Sequence, residues 1–424
     1  MLLKIAQIVY PGKSFGIFRD KALFTDEGLP GELVEVEIIQ DKKDFFNAKT
    51  IKIIKASEYR VKEKCSHYKV CSPYQIIDYP NQLKIKESQL REMFSKKLNL
   101  SDSSIKVIPS PLIWGYRNKI NLKLAEINGV YRLAYNQPGK DKEFYPIDKC
   151  WLSPDLVNDF IEELSLSLQD IASETIKEVT IRNNIENDIL LSINLDSLAD
   201  FARIQKVLPK LSINFKQSSG VCLVKNQFGS HQNILWGKNN LKHRIYETDY
   251  FIGSESFFQV NSLILKDLLE DINSLIEKNK FKTLADLYCG VGTFGLAFAK
   301  KVKTVLAVEL DESNIFFLKK NITANNIENC LVSQQSVETW TKNIKEHKID
   351  LAIIDPPRDG LKEKISSNLA HSNIPNILYL SCGASTLIRD LTILKRGYKI
   401  ESISFYDFFP QTGHIETLVF LKKK

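Results

Sequence analysis

Two residues near the C-terminus have the side chains of a nucleophile and a base. Cys382 follows the apolar run NILYLS, and Glu416 precedes the apolar run TLVFL. A thiolate that adds to carbon 6 of a uracil raises electron density at carbon 5, which is otherwise a poor nucleophile. After carbon 5 has taken up a methyl group, a carboxylate removes its proton so that the thiol is eliminated. One cysteine and one carboxylate are therefore the minimum set for methylating carbon 5 of a uracil.

Cys382 has an alternative role, because a lone cysteine is more often a buried small hydrophobe than a catalyst. The neighbouring motifs favour catalysis. Cys382 ends a predicted parallel strand, at the sheet edge where doubly wound folds bind ligands, and Glu416 is predicted at the same edge. A helix beginning near Ala384 would place its positive dipole end beside the thiolate.

A glycine-containing loop upstream predicts a nucleotide-type cofactor site. The segment DLYCGVGTFG (286–295) follows an apolar run and is predicted to open a helix, where glycines let the backbone approach a ligand. Glu309, at the end of the next predicted strand, is expected to accept hydrogen bonds from ribose hydroxyls. NAD would fit the same pattern. The loop form D-x-x-C-G-x-G-x-F, the final strand hairpin and the DPP sequence favour S-adenosylmethionine, with Tyr288 along the cofactor and Cys289 as a packing residue.

The DPPR segment adds polar groups at the same predicted edge. Asp355 ends the fourth predicted strand of the C-terminal domain and is expected beside both the methyl donor and the uracil, in a turn that prolines fix. Arg358 is expected to pair with a phosphate or a carboxylate, or to form a structural salt bridge. Gln259, in FFQVN, is a candidate for the carboxylate end of the cofactor.

Hydrophobic periodicity predicts the elements that position these residues. Residues 256–424 alternate strands and helices and end in two consecutive strands, which predicts an α/β class I, Rossmann-like methyltransferase domain. Residues 1–57 contain short β-type runs broken by glycines and predict a small OB-like β-barrel with basic strand edges, suited to an RNA backbone. Residues 58–255 predict a central α+β domain.

Composition limits the partners and the cellular location that are expected of the chain. The chain has 424 residues, 43% of them hydrophobic, and a net charge of +7, which fits a polyanionic partner without requiring one. Seven cysteines in a chain that opens without an apolar signal core indicate a reducing, cytoplasmic location. No run approaches the roughly 20 apolar residues of a spanning helix, so no membrane is expected.

Six motifs together resemble the RNA uracil-C5 methyltransferase family. They are FFQVN (257–261), DLYCGVGTFG (286–295), VEL (308–310), DPPRDG (355–360), SC followed by TLIRD (381–390) and FPQTGHIET (409–417). The resemblance implies S-adenosylmethionine-dependent formation of 5-methyluridine, with Cys382 as nucleophile and Glu416 as proton acceptor. It implies that the N-terminal barrel is an RNA-binding TRAM domain. It also implies a cofactor site lined by Gln259, Tyr288, Thr293, Glu309, Ser336 and Asp355.

Two departures from the family pattern stand out. The family's usual Ser-Cys-Asn-Pro is Ser-Cys-Gly-Ala at 381–384, which leaves the nucleophile in place. Members that act on 23S ribosomal RNA commonly hold a 4Fe–4S cluster through C-x5-C-x2-C and a later cysteine. Here Cys65 and Cys71 match the first two cysteines, Tyr74 occupies the third position and Cys150 matches the later cysteine, so either a cluster with an open or substituted iron or a decayed site is expected.

The implied substrate is 23S ribosomal RNA, with U1939 as the expected nucleotide, because the barrel and the cysteine motif resemble the ribosomal branch. Two alternatives remain: methylation of the tRNA T-loop, and a catalytically inactive RNA-binding assembly factor. An N-methyltransferase is disfavoured, because Arg358 replaces an expected aromatic residue and such an enzyme needs no Cys/Glu pair. A monomer is expected.

Overall fold

The computed structural model describes residues 1–100, 104–136, 143–171, 175–226 and 229–424. The strands are β1 (Leu2–Lys4), β2 (Gln7–Val9), β3 (Lys13–Phe18), β4 (Lys21–Thr25), β5 (Leu33–Asp41), β6 (Phe45–Lys55), β7 (Ile105–Ile108), β8 (Lys119–Ile127), β9 (Val130–Asn136), β10 (Phe144–Pro146), β11 (Ile176–Asn183), β12 (Ile189–Leu195), β13 (Ser218–Asn226), β14 (Gly229–Trp236), β15 (Asn240–Ile245), β16 (Thr248–Gly253), β17 (Thr283–Leu287), β18 (Thr304–Glu309), β19 (Cys330–Gln334), β20 (Leu351–Ile354), β21 (Asn376–Ser381), β22 (Tyr398–Tyr406) and β23 (Glu416–Lys423).

The α-helices are α1 (Tyr68–Cys71), α2 (Tyr79–Leu98), α3 (Asp155–Gln169), α4 (Phe201–Val207), α5 (Leu211–Asn214), α6 (Ser262–Asn279), α7 (Glu312–Ala324), α8 (Val337–Trp340), α9 (Glu363–Ala370) and α10 (Ala384–Leu394). Short 3-10 helices cover Pro73–Ile76, Leu208–Lys210, Ala299–Lys301 and Thr341–Glu346. In the part of the chain that the structure describes, none of these helices is both long enough and apolar enough to cross a membrane.

The N-terminal strands curl into the predicted barrel. Their order is β1-β5-β6-β4-β3-β2, and the two edge strands are consecutive pieces of one segment. At the break between them, Ile5 N–H donates to the Glu32 carbonyl (2.9 Å) and Ala6 N–H donates to the Phe15 carbonyl (2.8 Å). These bonds join the two edges, so the sheet closes around its alternating apolar residues.

The central domain is built on a sheet of order β10-β9-β8-β11-β12-β13-β14. Helix α3 packs on it, with Phe160, Ile161 and Leu164 fully buried in the core. The hairpin β15–β16 follows and leads through a loop into α6. The arrangement is the α+β domain that the sequence predicts.

The C-terminal sheet confirms the methyltransferase fold. Its order is β19-β18-β17-β20-β21-β23-β22-β7, with β23 antiparallel to both of its neighbours β21 and β22. Strands β17, β18, β19, β20 and β21 are parallel. Strand β20 is buried at every position, as expected for a parallel strand covered on both faces. The carboxyl ends of these strands therefore form one ligand-binding edge.

The prediction that a helix begins after the glycine loop is wrong. Residues 291–298 form successive turns, and the 3-10 helix Ala299–Lys301 follows them. Gly295 N–H donates to the Asp286 carboxylate (2.6 Å) rather than to a helical carbonyl. Gly290 and Gly292 have φ of 55° and 92°, in the left-handed region. This backbone is incompatible with a regular helix but brings several amides to the end of β17.

Residues 79–108 lie apart from the central domain in which the sequence analysis places them. Helix α2 packs its buried Leu90 and Phe94 in the same core as Leu387 and Leu391 of α10. Strand β7 extends the C-terminal sheet by pairing parallel with β22. A four-residue apolar run such as IKVI fits the edge of any sheet, so the sequence alone could not assign it.

Candidate active site

The end of β18 brings an acid next to the glycine loop. The Glu309 carboxylate accepts the Gly290 N–H (2.9 Å) at one oxygen and the Leu310 and Asp311 N–H groups (2.7 and 2.8 Å) at the other. Tyr288 stands beside it with φ of 63°, a strained conformation for a non-glycine residue. Both residues line a cavity of about 400 Å³ together with Ser336. Three of the predicted cofactor residues therefore share one pocket of suitable size.

A second group of predicted residues meets on the other side of the loop. Gln259 Nε2 donates to Asp355 Oδ2 (2.9 Å), which follows β20. The central domain holds the Gln259 segment, since Asn118 Nδ2 donates to the Gln259 carbonyl (2.9 Å). Thr293 is buried within the loop, where its carbonyl accepts the Tyr250 hydroxyl (2.8 Å). Thr293 thus lies in the loop without lining the cavity of Tyr288, Glu309 and Ser336.

Burial makes the carboxylates of this region unusually basic. Burial and the charge of Asp286 raise the pKa of Asp355 to about 7, against the lowering effect of the Gln259 hydrogen bond. Burial likewise raises the pKa of Asp286 to about 7, although the Gly295 N–H lowers it. Two adjacent buried acids that titrate near neutrality favour a cation between or beside them.

Cys382 and Glu416 lie side by side at the carboxyl edge of the sheet. Ser381 pairs with Thr417 in the antiparallel register of β21 and β23, so the next residues, Cys382 and Glu416, are neighbours. Glu416 is only 2% exposed, and among the described residues no hydrogen-bond donor reaches its Oε1 atom. Cys382 is half-buried. The structure thus places the predicted nucleophile and base together, with one carboxylate oxygen free to receive a proton.

Burial raises the pKa of both reacting groups in the substrate-free protein. Burial and the charge of Glu416 raise the pKa of the Cys382 thiol to about 12, and Arg358 lowers it. Burial and the charge of Asp355 raise the pKa of Glu416 well above its ordinary value, again against Arg358. The Arg358 guanidinium is therefore the nearby cation that favours both the thiolate and the carboxylate.

The loop that leads to Glu416 is anchored by α2, which sequence reasoning did not connect with the site. Lys86 Nζ donates to Asp407 Oδ1 (2.7 Å), and both side chains are fully buried. Gln82 and Gln411 exchange two hydrogen bonds, from Gln82 Nε2 to Gln411 Oε1 (2.8 Å) and from Gln411 N–H to Gln82 Oε1 (2.9 Å). Breaking a buried ion pair costs roughly 3–5 kcal/mol, so α2 fixes the path of this loop.

The three cysteines of the cluster motif lie near one another, but the residues present do not fit a complete 4Fe–4S cluster. Cys65 and Cys150 each contribute to the raised pKa of Cys71, which burial takes to about 11. Tyr74, at the third position of the motif, is buried with its hydroxyl hydrogen-bonded to Gln89 Nε2 (3.1 Å), and burial raises its pKa to about 12. A neutral phenol that is held elsewhere cannot replace a thiolate ligand.

Two of the three sulfur atoms accept hydrogen bonds from protein side chains. Gln75 Nε2 donates to Cys65 Sγ (3.2 Å), and the Tyr135 hydroxyl donates to Cys150 Sγ (3.2 Å). Within the described ranges the structure contains no group of three or more His, Cys, Asp or Glu side chains arranged to hold a metal ion. The cluster that the resemblance implies is therefore not confirmed, and the thiols of Cys65 and Cys150 are hydrogen-bonded to protein groups.

Anaerobic reconstitution tests whether these cysteines hold a cluster. We expect the protein, incubated with iron and sulfide and then desalted, to retain less than about 0.1 cluster per chain and to show no broad visible absorbance, because a complete cluster needs four ligands. Iron and acid-labile sulfide are measured together. Tyr74→Cys, which supplies the fourth thiol, is the matched comparison. Stoichiometric iron in the wild type would contradict the geometry.

Comparison with known proteins agrees with the fold. Residues 78–424 match the model of the tRNA (Uracil-5-)-methyltransferase family. An uncharacterized RNA methyltransferase of Fusobacterium nucleatum is 30% identical over 100% of this chain and 95% of its own length. One of Listeria monocytogenes is 28% identical over 100% of this chain and 97% of its own.

A solved structure has the same fold over nearly the whole chain. The tRNA (uracil-54, C5)-methyltransferase of Pyrococcus abyssi, crystallised with S-adenosyl-L-homocysteine, superposes with a TM-score of 0.77 at 24% identity. The superposition covers 99% of this chain and 100% of that one. The chain described here therefore belongs to the tRNA (Uracil-5-)-methyltransferase family and is an S-adenosylmethionine-dependent RNA methyltransferase of the uracil-C5 type.

Proposed function

We propose that the chain methylates carbon 5 of a uridine in 23S ribosomal RNA, with Cys382 as nucleophile and Glu416 as base. The observation that carries the proposal is the adjacency of these two side chains at the ligand-binding edge of the sheet. Arg358 favours the ionised forms of both. A structural or electron-transfer role would not need a thiol and a buried carboxylate side by side at this edge.

The reaction proceeds in three steps. The Cys382 thiol loses its proton to solvent, its thiolate forms a bond from Sγ to carbon 6 of the uracil, and the electron pair of the double bond between carbons 5 and 6 moves to carbon 5. Carbon 5 forms a bond to the methyl group of S-adenosylmethionine while the bond from that methyl group to the sulfonium sulfur breaks, which leaves S-adenosylhomocysteine. The ionised Glu416 carboxylate removes the carbon 5 proton, the bond from Sγ to carbon 6 breaks, and the thiolate is restored. Glu416 then passes its proton to solvent.

The cofactor site divides between the two groups of residues already described. Glu309 and Ser336, which line the cavity with Tyr288, hold the nucleoside end, with Glu309 accepting from ribose hydroxyls. Gln259, Thr293 and Asp355 complete the site on the side of the methyl donor. The buried acids Asp286 and Asp355 favour a cationic sulfonium there.

Cofactor affinity should depend on pH in a way that identifies this electrostatic role. Asp355 and Asp286, with a pKa of about 7, are largely neutral near pH 6 and ionised near pH 8. We expect S-adenosylmethionine to bind about fivefold to tenfold more tightly at the higher pH, since its sulfonium interacts with the ionised acids. Isothermal titration calorimetry measures both affinities.

S-adenosylhomocysteine provides the control for that prediction, because it has the same shape without the positive charge. Its affinity should change by less than about twofold between the two pH values. Asp355→Asn should flatten the profile of S-adenosylmethionine. Equal pH dependence of the two ligands would contradict the role of the buried acids.

The RNA partner is expected to contact the barrel as well as the catalytic cleft. Lys4, Lys13 and Lys49 are exposed on barrel strands, and a TRAM-type role would use them against RNA phosphates. Uridines of folded RNA are stacked, so the target base is flipped into the cleft. We propose that one copy of the chain, acting as a monomer in the cytoplasm, contacts the RNA through both surfaces.

A tRNA T-loop uridine is the second candidate substrate. The Pyrococcus abyssi enzyme is named for tRNA, and its superposition covers 99% of this chain, barrel included. The barrel therefore does not separate ribosomal from transfer RNA, and the three cysteines that match the motif of the ribosomal branch are the remaining argument for 23S RNA. We keep 23S RNA as the first proposed substrate, and the following experiment decides between 23S RNA and tRNA.

Release of tritium from carbon-5-labelled uridine tests both proposals. Unmodified transcripts of a 23S fragment containing U1939 and of a tRNA are incubated with enzyme and S-adenosylmethionine, and a fragment with cytidine at the target is the control. Release from the 23S fragment alone supports the proposal. Release from tRNA alone keeps the chemistry and replaces the substrate. Release from neither RNA would favour an inactive RNA-binding factor.

A further inference from the structure

Three phenylalanine rings form a row on the outer face of the barrel. Phe15 of β3 lies opposite Phe24 of β4, and their ring centroids are 5.7 Å apart. The Phe24 ring meets the Phe45 ring of β6 edge to face, with the two centroids 5.8 Å apart. Aromatic rings at such separations are in contact. The aromatic row of Phe15, Phe24 and Phe45 therefore crosses three neighbouring strands.

The core of the barrel closes without these rings. Leu23 precedes Phe24, and Phe46 follows Phe45, and both of these neighbours are buried in the barrel core. Because successive side chains of a strand point to opposite faces, the aromatic row points away from that core. Its three rings are only partly buried. The row is therefore a surface feature rather than part of the packing that stabilises the barrel.

The surroundings of the aromatic row favour an RNA strand as its partner. Ile17, two residues from Phe15 on the same face, is 66% exposed, so the apolar surface extends beyond the rings. Lys13 and Lys49 are exposed on this face, one in β3 and one in β6. Aromatic rings stack with any base, and lysines attract the phosphates between the bases. The combination fits a single strand whose bases are unpaired.

The aromatic row begins close to the catalytic cleft. The turn Tyr10–Gly12 joins β2 to β3, and a Cβ atom at Gly413 would collide with the Pro11 carbonyl oxygen of this turn. Gly413 lies in the loop that leads to Glu416. Phe15 follows Pro11 by four positions, and a strand rises roughly 3.3 Å per residue, so the row begins about 13 Å from this contact. An RNA strand that enters the cleft can therefore continue along β3 onto the row.

We propose that Phe15, Phe24 and Phe45 bind the unpaired bases next to the target uridine by stacking. The inference rests on the proposed function, which supplies the RNA. A uridine that is flipped into the cleft leaves its neighbours without a stacking partner, and the rings take the place of that partner. The aromatic row thus lowers the cost of opening the RNA. It acts in substrate binding rather than in the chemical steps.

Two oligonucleotides separate stacking from contacts with phosphates. One is an oligouridylate of about ten nucleotides, within the range that an OB-type barrel covers. The other is the same oligomer with abasic sites, which keeps the phosphates and lacks the bases. With the full chain, Phe24→Leu should weaken oligouridylate binding about tenfold and leave binding of the abasic oligomer within about twofold, because leucine is apolar but has no π-face. Fluorescence anisotropy measures both affinities.

Phe18→Leu is the matched control. It makes the same substitution in β3, but Phe18 packs against the barrel core. The control should lower the melting temperature more than Phe24→Leu does, yet leave oligouridylate affinity within about twofold. Lys13→Gln should weaken binding of both oligomers and reduce the salt dependence of log K by about 0.7, the value of one phosphate contact on a single strand, whereas Phe24→Leu should leave that slope unchanged.

Unchanged oligouridylate affinity in Phe24→Leu, an equal loss for both oligomers, or no binding by the wild type would overturn the inference and favour a protein partner for this face. These measurements need no S-adenosylmethionine. They therefore decide the role of the aromatic row even if the wild type methylates neither RNA and the proposed function fails. With an RNA that is methylated, Phe24→Leu should raise KM about tenfold and keep kcat within about twofold, and an unchanged KM would also reject the inference.

Discussion

Cys382→Ala should reduce methyl transfer by more than about 10⁴-fold while leaving RNA binding within about twofold of the wild type. Without the thiol, carbon 5 of the uracil stays a poor nucleophile, and no other group of the site adds to carbon 6. Turnover is measured as 5-methyluridine by mass spectrometry of digested RNA, and binding by filter retention.

Cys330→Ala is the matched control for this loss. Cys330 begins the edge strand β19 of the same sheet, and burial raises the pKa of its thiol to about 12, as it does for Cys382. The two cysteines therefore differ in position rather than in acidity, and Cys330→Ala should retain wild-type turnover. Residual turnover above about 1% in Cys382→Ala would reject the covalent mechanism.

Glu416→Gln should accumulate a covalent adduct between Cys382 and the methylated RNA. Addition of Cys382 and methyl transfer need no proton acceptor, but the final elimination does, and an amide does not accept the carbon 5 proton. We expect one methylated RNA per enzyme and release slowed by about 10³-fold or more. The adduct should survive denaturing electrophoresis and appear as a mass increment on the Cys382 peptide.

The glutamine variant is expected to fold, because burial raises the pKa of Glu416 well above its ordinary value and so favours an uncharged side chain at this position. A neutral isostere of the same volume preserves the packing at this position. The double variant Cys382→Ala/Glu416→Gln should form no adduct. Wild-type turnover by Glu416→Gln would assign proton removal to another group, with Asp355 as the nearest buried acid that acts on it.

Sequence reasoning was most successful where the chemistry follows the strand pattern. Cys382 ends one strand and Glu416 begins the antiparallel partner, so the sheet edge they share follows from strand order alone. The same reasoning put Glu309 at the end of β18, next to the loop amides it accepts. Periodicity and strand order suffice for such residues because each side chain's position depends only on the strand that carries it.

Contacts between distant segments could not be predicted in this way. The Tyr10 turn and the Glu416 loop are separated by about 400 residues, and nothing local in YPG indicates a partner. The turns after Gly290 replace a helix because a buried carboxylate captures the Gly295 amide, a tertiary effect that outweighs local pattern. The resemblance implied either a cluster or a decayed site at the cysteine motif, and spacing alone could not show that Gln75 and Tyr135 donate hydrogen bonds to Cys65 and Cys150.

The strand β7 also has a consequence for how the polypeptide is made. Ile105 of β7 pairs with Ile403 of β22. Because β22 is synthesised near the end of the chain, β7 cannot pair until almost the whole polypeptide has been made. Most of the central domain lies between β7 and β22 in the sequence, so the pairing of these two strands closes a long loop that contains it. Folding of the catalytic sheet is therefore a late event of high contact order, and a fragment beginning at residue 256 would leave the sheet edge at β22 uncovered.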